Sequence, residues 1–358
     1  MLDFIKEKIT VWERLATTSK PIVLYGMGNG ADKIIDWCQA QQVPVAGVFA
    51  SDEFVRGQSF RGFVVKKYSE IIAELGQDIL VVIAFASEGK EVLDRFQELA
   101  ALHETVAPHL SLFGGEELVS PAWLEQHEHE LQQVYDRLAD DQSRLVFANT
   151  LNYKLSGKIA YLFQCTTRRE DDLRQLYSFG PEEVYMDLGA YNGDTVQEFL
   201  QLVDNKYQRI IAVEPDRKNC KKLRKLAEEL ASDCLSIHQV GIWYEQGELG
   251  FSDSGGRQSS FCLQPKNTVP VEAIDNLAQD YPISYIKMDV EGAEVQALQG
   301  GRQTINTYAP KLFVAAYHYD ADLYRLPLLL WKLVPDYKIY LRKHPYIPAW
   351  ELNFLAVK

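Results

Sequence analysis

The sequence has no long apolar run, no surplus of positive charge and no paired cysteines, and each absence removes a class of protein. Its longest unbroken apolar stretch, Ile79 to Ala86, has eight residues, whereas a bilayer-spanning helix needs about 20. The opening residues, M-L-D-F-I-K-E-K-I-T, carry charge where a secretory signal places its apolar core. Lys and Arg number 37 against 50 Asp and Glu, for a net charge of −13. Nucleic-acid affinity rests on many cation–phosphate contacts, so no nucleic-acid partner is expected. The five cysteines (Cys38, Cys165, Cys220, Cys234 and Cys262) contain no C-x-x-C pair, which argues against a disulfide framework and a zinc ribbon. His127 and His129 are two apart and would not share a helix face, so no metal is expected there. Together these absences predict a cytoplasmic protein with reduced thiols and no membrane span.

What is present is an alternation of strand and helix signals, in a chain of 358 residues that is 47% hydrophobic and 24% charged. Strands are predicted at Ile22–Tyr25, Val45–Phe49 and Ile79–Phe85, with a helix at Lys33–Gln41, so residues 1–112 read as a small Rossmann-like unit with a parallel sheet. Residues 113–176 read as a helical connector, with a polar, solvated helix over 124–139. From Val184 the alternation restarts, with strands at Val184–Leu188, Ile210–Glu214, Leu235–Val240, Ser284–Asp289 and Leu312–His318 and a helix at Arg217–Ala231. Tyr337–Leu341 and Leu352–Val357 have no helix between them and suggest an antiparallel pair closing the unit 177–358.

Two glycine loops stand out. Gly26, Gly28 and Ala31 spell G-x-G-x-x-A between a strand and a helix, with Gly30 in the same loop and Asp52 placed to meet a ribose. This would be a nucleotide loop, or a turn needing small residues for packing. The stretch around it (V-L-Y-G-M-G-N-G-A, V-A-G-V-F-A-S-D, G-Q-S-F-R-G-F-V-V) resembles the N-terminal domains of sugar-modifying acyltransferases. That resemblance points to a nucleotide sugar or a scaffold role. A sugar epimerase would use Tyr-x-x-x-Lys, and no tyrosine here has lysine four places on.

The second loop, V-Y-M-D-L-G-A-Y-N-G-D, ends a strand on Asp187 and frames a turn with Gly189 and Gly193. This spacing does not suit a pyrophosphate. It suits a ligand whose amino-acid part lies on the glycine backbone while a carboxylate meets its ammonium, as in S-adenosylmethionine. Glu214 ends the next strand, where an acid can hold ribose hydroxyls. His238–Ile242 closes the third strand, placing Gly241 and Ile242 where adenine would be flanked, and Asp289 ends the fourth strand.

The stretches M-D-L-G-A-Y-N-G-D-T, V-E-P-D, S-S-F, V-E-A-I-D and I-K-M-D-V-E-G-A-E resemble FkbM-type S-adenosylmethionine-dependent methyltransferases, over about Asp140 to Lys358. The resemblance implies a seven-stranded, Rossmann-like class I methyltransferase domain with its final strand antiparallel. It implies transfer of a methyl group to a hydroxyl oxygen of a sugar, glycan or related small molecule. It extends the cofactor set to Tyr191, Asn192, Asp194, Thr195 and Asp216. His318, ending F-V-A-A-Y-H at the cleft edge, is the first candidate for the base, with Asp289 and Glu291 as alternatives. Asp289 and Glu291 could together hold a divalent cation, but nothing else in the motif requires one, so no metal is expected. Lys287, two residues before Asp289, is expected to orient or pair with it. The loop Ser252–Ser260, with Arg257, reads as a lid or an acceptor-binding segment, or as a plain connection. A homodimer is left open. The rival functions are a nucleotide-sugar oxidoreductase or epimerase using the Gly26 loop, and a non-catalytic scaffold in glycan assembly.

Overall fold

The structure, a computed structural model, describes residues 2–114, 117–230, 233–252, 260–261, 267–279 and 281–358. The first unit is a sheet of β1 (Ile22–Tyr25), β2 (Val45–Ala50), β3 (Ser59–Phe60), β4 (Phe63–Lys67), β5 (Leu80–Ile83) and β6 (Glu104–Val106). The order is β3-β4-β2-β1-β5-β6, and every pairing is parallel except β3 with β4. β1 and β5 are buried at every residue, as central parallel strands are when helices cover both faces.

The chain continues through β7 (Val184–Leu188), β8 (Arg209–Val213) and β9 (Leu235–His238). A small sheet follows, of β10 (Gly241–Ile242), β11 (Gly247–Ser252), β12 (Ser260–Phe261) and β13 (Asn267–Glu272). Then come β14 (Tyr285–Met288), β15 (Lys311–Ala315), β16 (Lys338–Lys343) and β17 (Leu352–Val357). The main sheet runs β16-β17-β15-β14-β7-β8-β9, with β17 antiparallel to both neighbours. Gly241 and Ile242 therefore belong not to the third strand but to the small sheet, where they pair with Val271 and Glu272. Most of the expected lid, including Arg257, lies outside the described residues.

The middle of the chain differs from its sequence reading. Residues 124–139 are not one solvated helix: Pro121–Gln126 and Glu128–Arg137 break at His127, and Leu131 and Val134 are fully buried. His127 stacks on Tyr324 and packs edge-on to Trp123. Helix Asp141–Ser156 is not a connector but a shared core element. Val146, Phe147 and Leu151 pack with the second unit, and Tyr153 packs with the first. It is buried around most of its circumference, so it lacks the amphipathic stripe that marks a surface helix. Further ties join the units. Ser87 and Ile347 exchange backbone hydrogen bonds of 2.8 and 2.9 Å, and buried Lys154 pairs with Asp320, which also contacts His109 at 2.7 Å.

Arg342, at the end of β16, binds Asp140 at 2.6 Å and Asp172 at 2.9 Å and is 5% exposed. It clamps the start of helix Asp141–Ser156 to the main sheet. Removing one partner of a buried ion pair costs about 3–5 kcal/mol, and Arg342→Ala is expected to lower the urea unfolding midpoint accordingly. Arg174→Ala, which breaks a solvated pair with Glu170, is expected to cost under about 1 kcal/mol.

Candidate active site

The carboxyl ends of both sheets open on one cleft of about 1330 Å³. Asn29 and Glu88 reach it from the first sheet, and Gly189, Glu214, Asp289 and Tyr317 from the second. This is where open α/β sheets bind ligands. Acidic residues in the lining (Glu88, Asp194, Glu198, Glu214, Asp216, Asp289, Glu291, Glu351) outnumber the basic ones (Arg169, Lys218, Lys222, Lys287). A cleft with this field favours a cationic ligand over a polyphosphate.

The loop after β7 is set by close backbone approach. Gly189 has φ +79°, and a Cβ there would lie 1.9 Å from the carbonyl oxygen of Asp289. Its carbonyl accepts from Lys287 Nζ at 2.7 Å. Lys287 also lies 3.4 Å from Asp187, which is fully buried and accepts from Thr195 Oγ1 at 2.5 Å. Burial alone would discharge Lys287, but Asp187 and Asp289 raise its pKa and keep it cationic. The Gly189 and Ala190 amides both donate to Val213, at 3.0 Å each. Glu214, 6% exposed, accepts from the Tyr191 and Asp216 amides at 2.9 Å each. Burial raises its carboxyl above the ordinary value, against these bonds. Asp216 in turn caps the helix Arg217–Leu230 through the Lys218 and Asn219 amides, at 2.8 Å each.

On the opposite wall, Asp289 accepts from Tyr317 Oη at 3.0 and 3.1 Å. His318, 2% exposed, lies behind it. Its Nε2 is 3.5 Å from both Asp289 and Glu291, and its Nδ1 is 3.1 Å from Glu294. Burial opposes charge on His318, but Glu294, Glu291 and Asp289 outweigh it and raise its pKa well above the ordinary range. Phe113 stacks on the ring. Tyr191 and Glu291, with φ +44° and +54°, adopt left-handed backbone, a strain that collects at functional sites.

Of the expected residues, Gly189, Tyr191, Asp194, Thr195, Glu214, Asp216, Gly241, Ile242, Asp289 and Glu291 line the cleft. Asp187 lies beneath it, and Asn192 braces the loop by accepting from the Asp194 amide at 3.2 Å. Gly193, with φ +92°, packs against Leu226. His318 is not at the cleft edge but behind the carboxylates, and Lys287 pairs with Asp187 across the strands. In the first loop, Gly26 packs against Phe85, and a Cβ on Gly30 would meet the Ala84 carbonyl at 2.3 Å. Gly26, Gly28 and Gly30 do not line the cleft, whereas Asn29 does. Asp52 is exposed, 3.7 Å from Lys67. Sequence reasoning missed Tyr317, Glu294, Arg169 and Phe113. Tyr317 had a signal, since it adjoins His318 at the end of the same strand.

Residues 187–343 match the family model described as Methyltransferase FkbM domain. The chain is 26% identical over 186 residues to the 2-O-methyltransferase NoeI of Sinorhizobium fredii, covering 44% of this chain and 74% of that protein. Its fold is similar to the crystal structure of methyltransferase FkbM from Methylobacillus flagellatus KT, with TM-score 0.76 and 21% identity over 99% of this chain and 96% of that one.

Gly189→Ala adds a methyl group where the Asp289 carbonyl already sits, on left-handed backbone. Overpacking costs about 1–3 kcal/mol and the backbone conformation adds to it. The variant is expected to unfold at lower denaturant than wild type by at least that amount, while Gly180→Ala, with open space around it, stays near wild type.

Proposed function

We propose that this chain, whose residues 187–343 match the FkbM methyltransferase domain model, moves a methyl group from S-adenosylmethionine to a hydroxyl oxygen of a sugar, glycan or related small molecule. The observation that carries the reading is that one cleft presents Gly189, Glu214 and Asp289 from the ends of β7, β8 and β14, with Gly241 from the small sheet beside them. We read the seven-stranded sheet as the class I methyltransferase arrangement, with the β7–β9 half holding the cofactor.

The residues present fit that cofactor. Gly189 lines the cleft, so the amino-acid part can lie against the backbone of its turn. Glu214 is placed for the ribose hydroxyls, and Val240 to Ile242 for the adenine. The carboxylate surplus suits a sulfonium. When bound, S-adenosylmethionine supplies an electrophilic methyl group. Asp187 acts one layer down, keeping Lys287 charged and the Gly189 carbonyl in place.

Asp289 and Glu291, with side chains 30% and 37% exposed at the cleft wall, can take the proton of an attacking hydroxyl. A positioned base contributes about 10²–10⁴-fold, and alignment of the reacting atoms about 7–11 kcal/mol. Tyr317 fixes the Asp289 carboxylate, and His318 acts as a positioning residue beneath both acids. The name of the Sinorhizobium fredii relative supports an oxygen acceptor. Tyr346 and Trp350, with ring centroids 5.4 Å apart, line the cleft and offer an apolar surface to a sugar ring. The Gly26 loop as a dinucleotide site has less support, because Gly26, Gly28 and Gly30 do not line the cleft.

Titration calorimetry of the full chain with S-adenosylmethionine is expected to show one site, and absence of heat with a folded sample overturns the reading. Glu214→Ala is expected to weaken binding more than tenfold with an unchanged circular-dichroism spectrum. Asp187→Ala is expected to lose stability as well as binding, since it leaves Lys287 buried and unpaired. Because burial raises the Glu214 carboxyl, lowering the pH should protonate it and weaken binding from a higher pH than an ordinary glutamate would. Glu214→Gln should lack that acid limb.

A further inference from the structure

We propose that Asp289, Glu294 and His318 form a binding site for a divalent cation, with Mn²⁺ the best chemical match, in the wall of the cleft. Each residue offers one donor atom, and these atoms all lie within 4.8 Å of one another. Donors around one cation bound at about 2.1 Å lie at most about 4.2 Å apart, so a side-chain shift of a fraction of an ångström would close the set on an ion.

A second observation points to a ligand. His318 and Glu294 are 2% and 1% exposed, yet neither ring nitrogen of His318 has a hydrogen-bond partner, and Glu294 Oε2 has none either. The imidazole nitrogens come within 3.1–3.5 Å of carboxylate oxygens without the angles of a hydrogen bond. Buried polar atoms are ordinarily satisfied, so these orphaned atoms on adjoining buried side chains mark a place where a cation would take one ring nitrogen and a carboxylate oxygen.

Charge agrees. Glu291 stands 3.5 Å from the same imidazole. The neighbouring ammonium groups are engaged elsewhere, Lys287 with Asp187 and the Gly189 carbonyl, and Lys154 with Asp320. The pocket thus carries more carboxylate than its one imidazole balances.

The donor set selects the ion. Two carboxylates and one imidazole suit Mn²⁺, whereas a thiolate-free, oxygen-rich set disfavours the softer metals. The site also has the features of an open one. Asp289 lines the cleft, so coordination positions face the space where an acceptor would lie. Tyr317 donates to both Asp289 oxygens and so holds that ligand in place, as groups behind a metal ligand do. What the cation would do there rests on the methyltransferase reading: it would draw the acceptor hydroxyl toward the cleft wall and favour release of its proton to Glu291. That the cation binds does not rest on it.

The test uses the full chain, stripped with chelator and titrated with MnCl₂ while the six-line electron paramagnetic resonance signal of free Mn²⁺ is followed. The expected result is loss of one equivalent of signal per chain, with a rise in melting temperature. Glu294→Gln and His318→Ala should weaken Mn²⁺ binding more than tenfold. Should either fail to fold, Asp289→Asn, nearly isosteric and partly exposed, is expected to do the same. An undiminished free-Mn²⁺ signal with folded wild type, or variants that bind as tightly as wild type, overturns the proposal. S-adenosylmethionine binding measured on the metal-free protein separates the two readings. Cofactor binding without Mn²⁺ uptake sinks this site alone, and Mn²⁺ uptake without cofactor binding sinks the methyltransferase chemistry alone.

Discussion

The cleft depends on one buried ammonium. Lys287 stands in the central strand β14 beside β7, and it holds the Asp187 carboxylate and the Gly189 carbonyl at once. A charged lysine at this depth is stable only because Asp187 is there, and a buried Asp187 is stable only because Lys287 is there. The pair fixes the two middle strands against each other at the point where both chains leave the sheet. From that point the Gly189 turn presses on the Asp289 carbonyl, which sets the distance between the two walls. Glu214 on one side and Asp289 on the other take their positions from this contact.

The parts of the fold that were legible in the sequence are those whose burial is simple. Val184–Leu188 and Leu352–Val357 were delimited correctly because strands buried on both faces read as apolar runs bounded by charge or turn residues. Helix Asp141–Ser156 was read as helical, but its burial was missed because apolar and polar residues on nearly every side leave no stripe to mark a buried face. The small sheet around β13 went unread because Asn267–Glu272 carries a proline and a polar edge, which weaken any strand signal.

The site divides the same way. The Gly189, Glu214 and Asp289 positions follow from strand ends in a fixed order, which chain order alone reveals. Glu294 could not be found that way. It follows Asp289 by one turn of chain, and it points back at His318 only because Glu291 and Gly292, both with positive φ, reverse the backbone between them. Lys287 was assigned to Asp289 on same-face spacing. Its actual partner, Asp187, is its register neighbour in the adjoining strand, a relation that sequence spacing does not carry.

The helix Asp141–Ser156 has a consequence for motion. Its side chains belong to both hydrophobic cores, and the Ser87–Ile347 bridge and the Lys154–Asp320 pair stitch the same two units together elsewhere. Hinge bending between two lobes needs an interface that can slide or a linker that can flex, and this molecule has packed helix there instead. The gap between the sheets is therefore held near constant width. The two walls of the cleft are thus parts of one packed body.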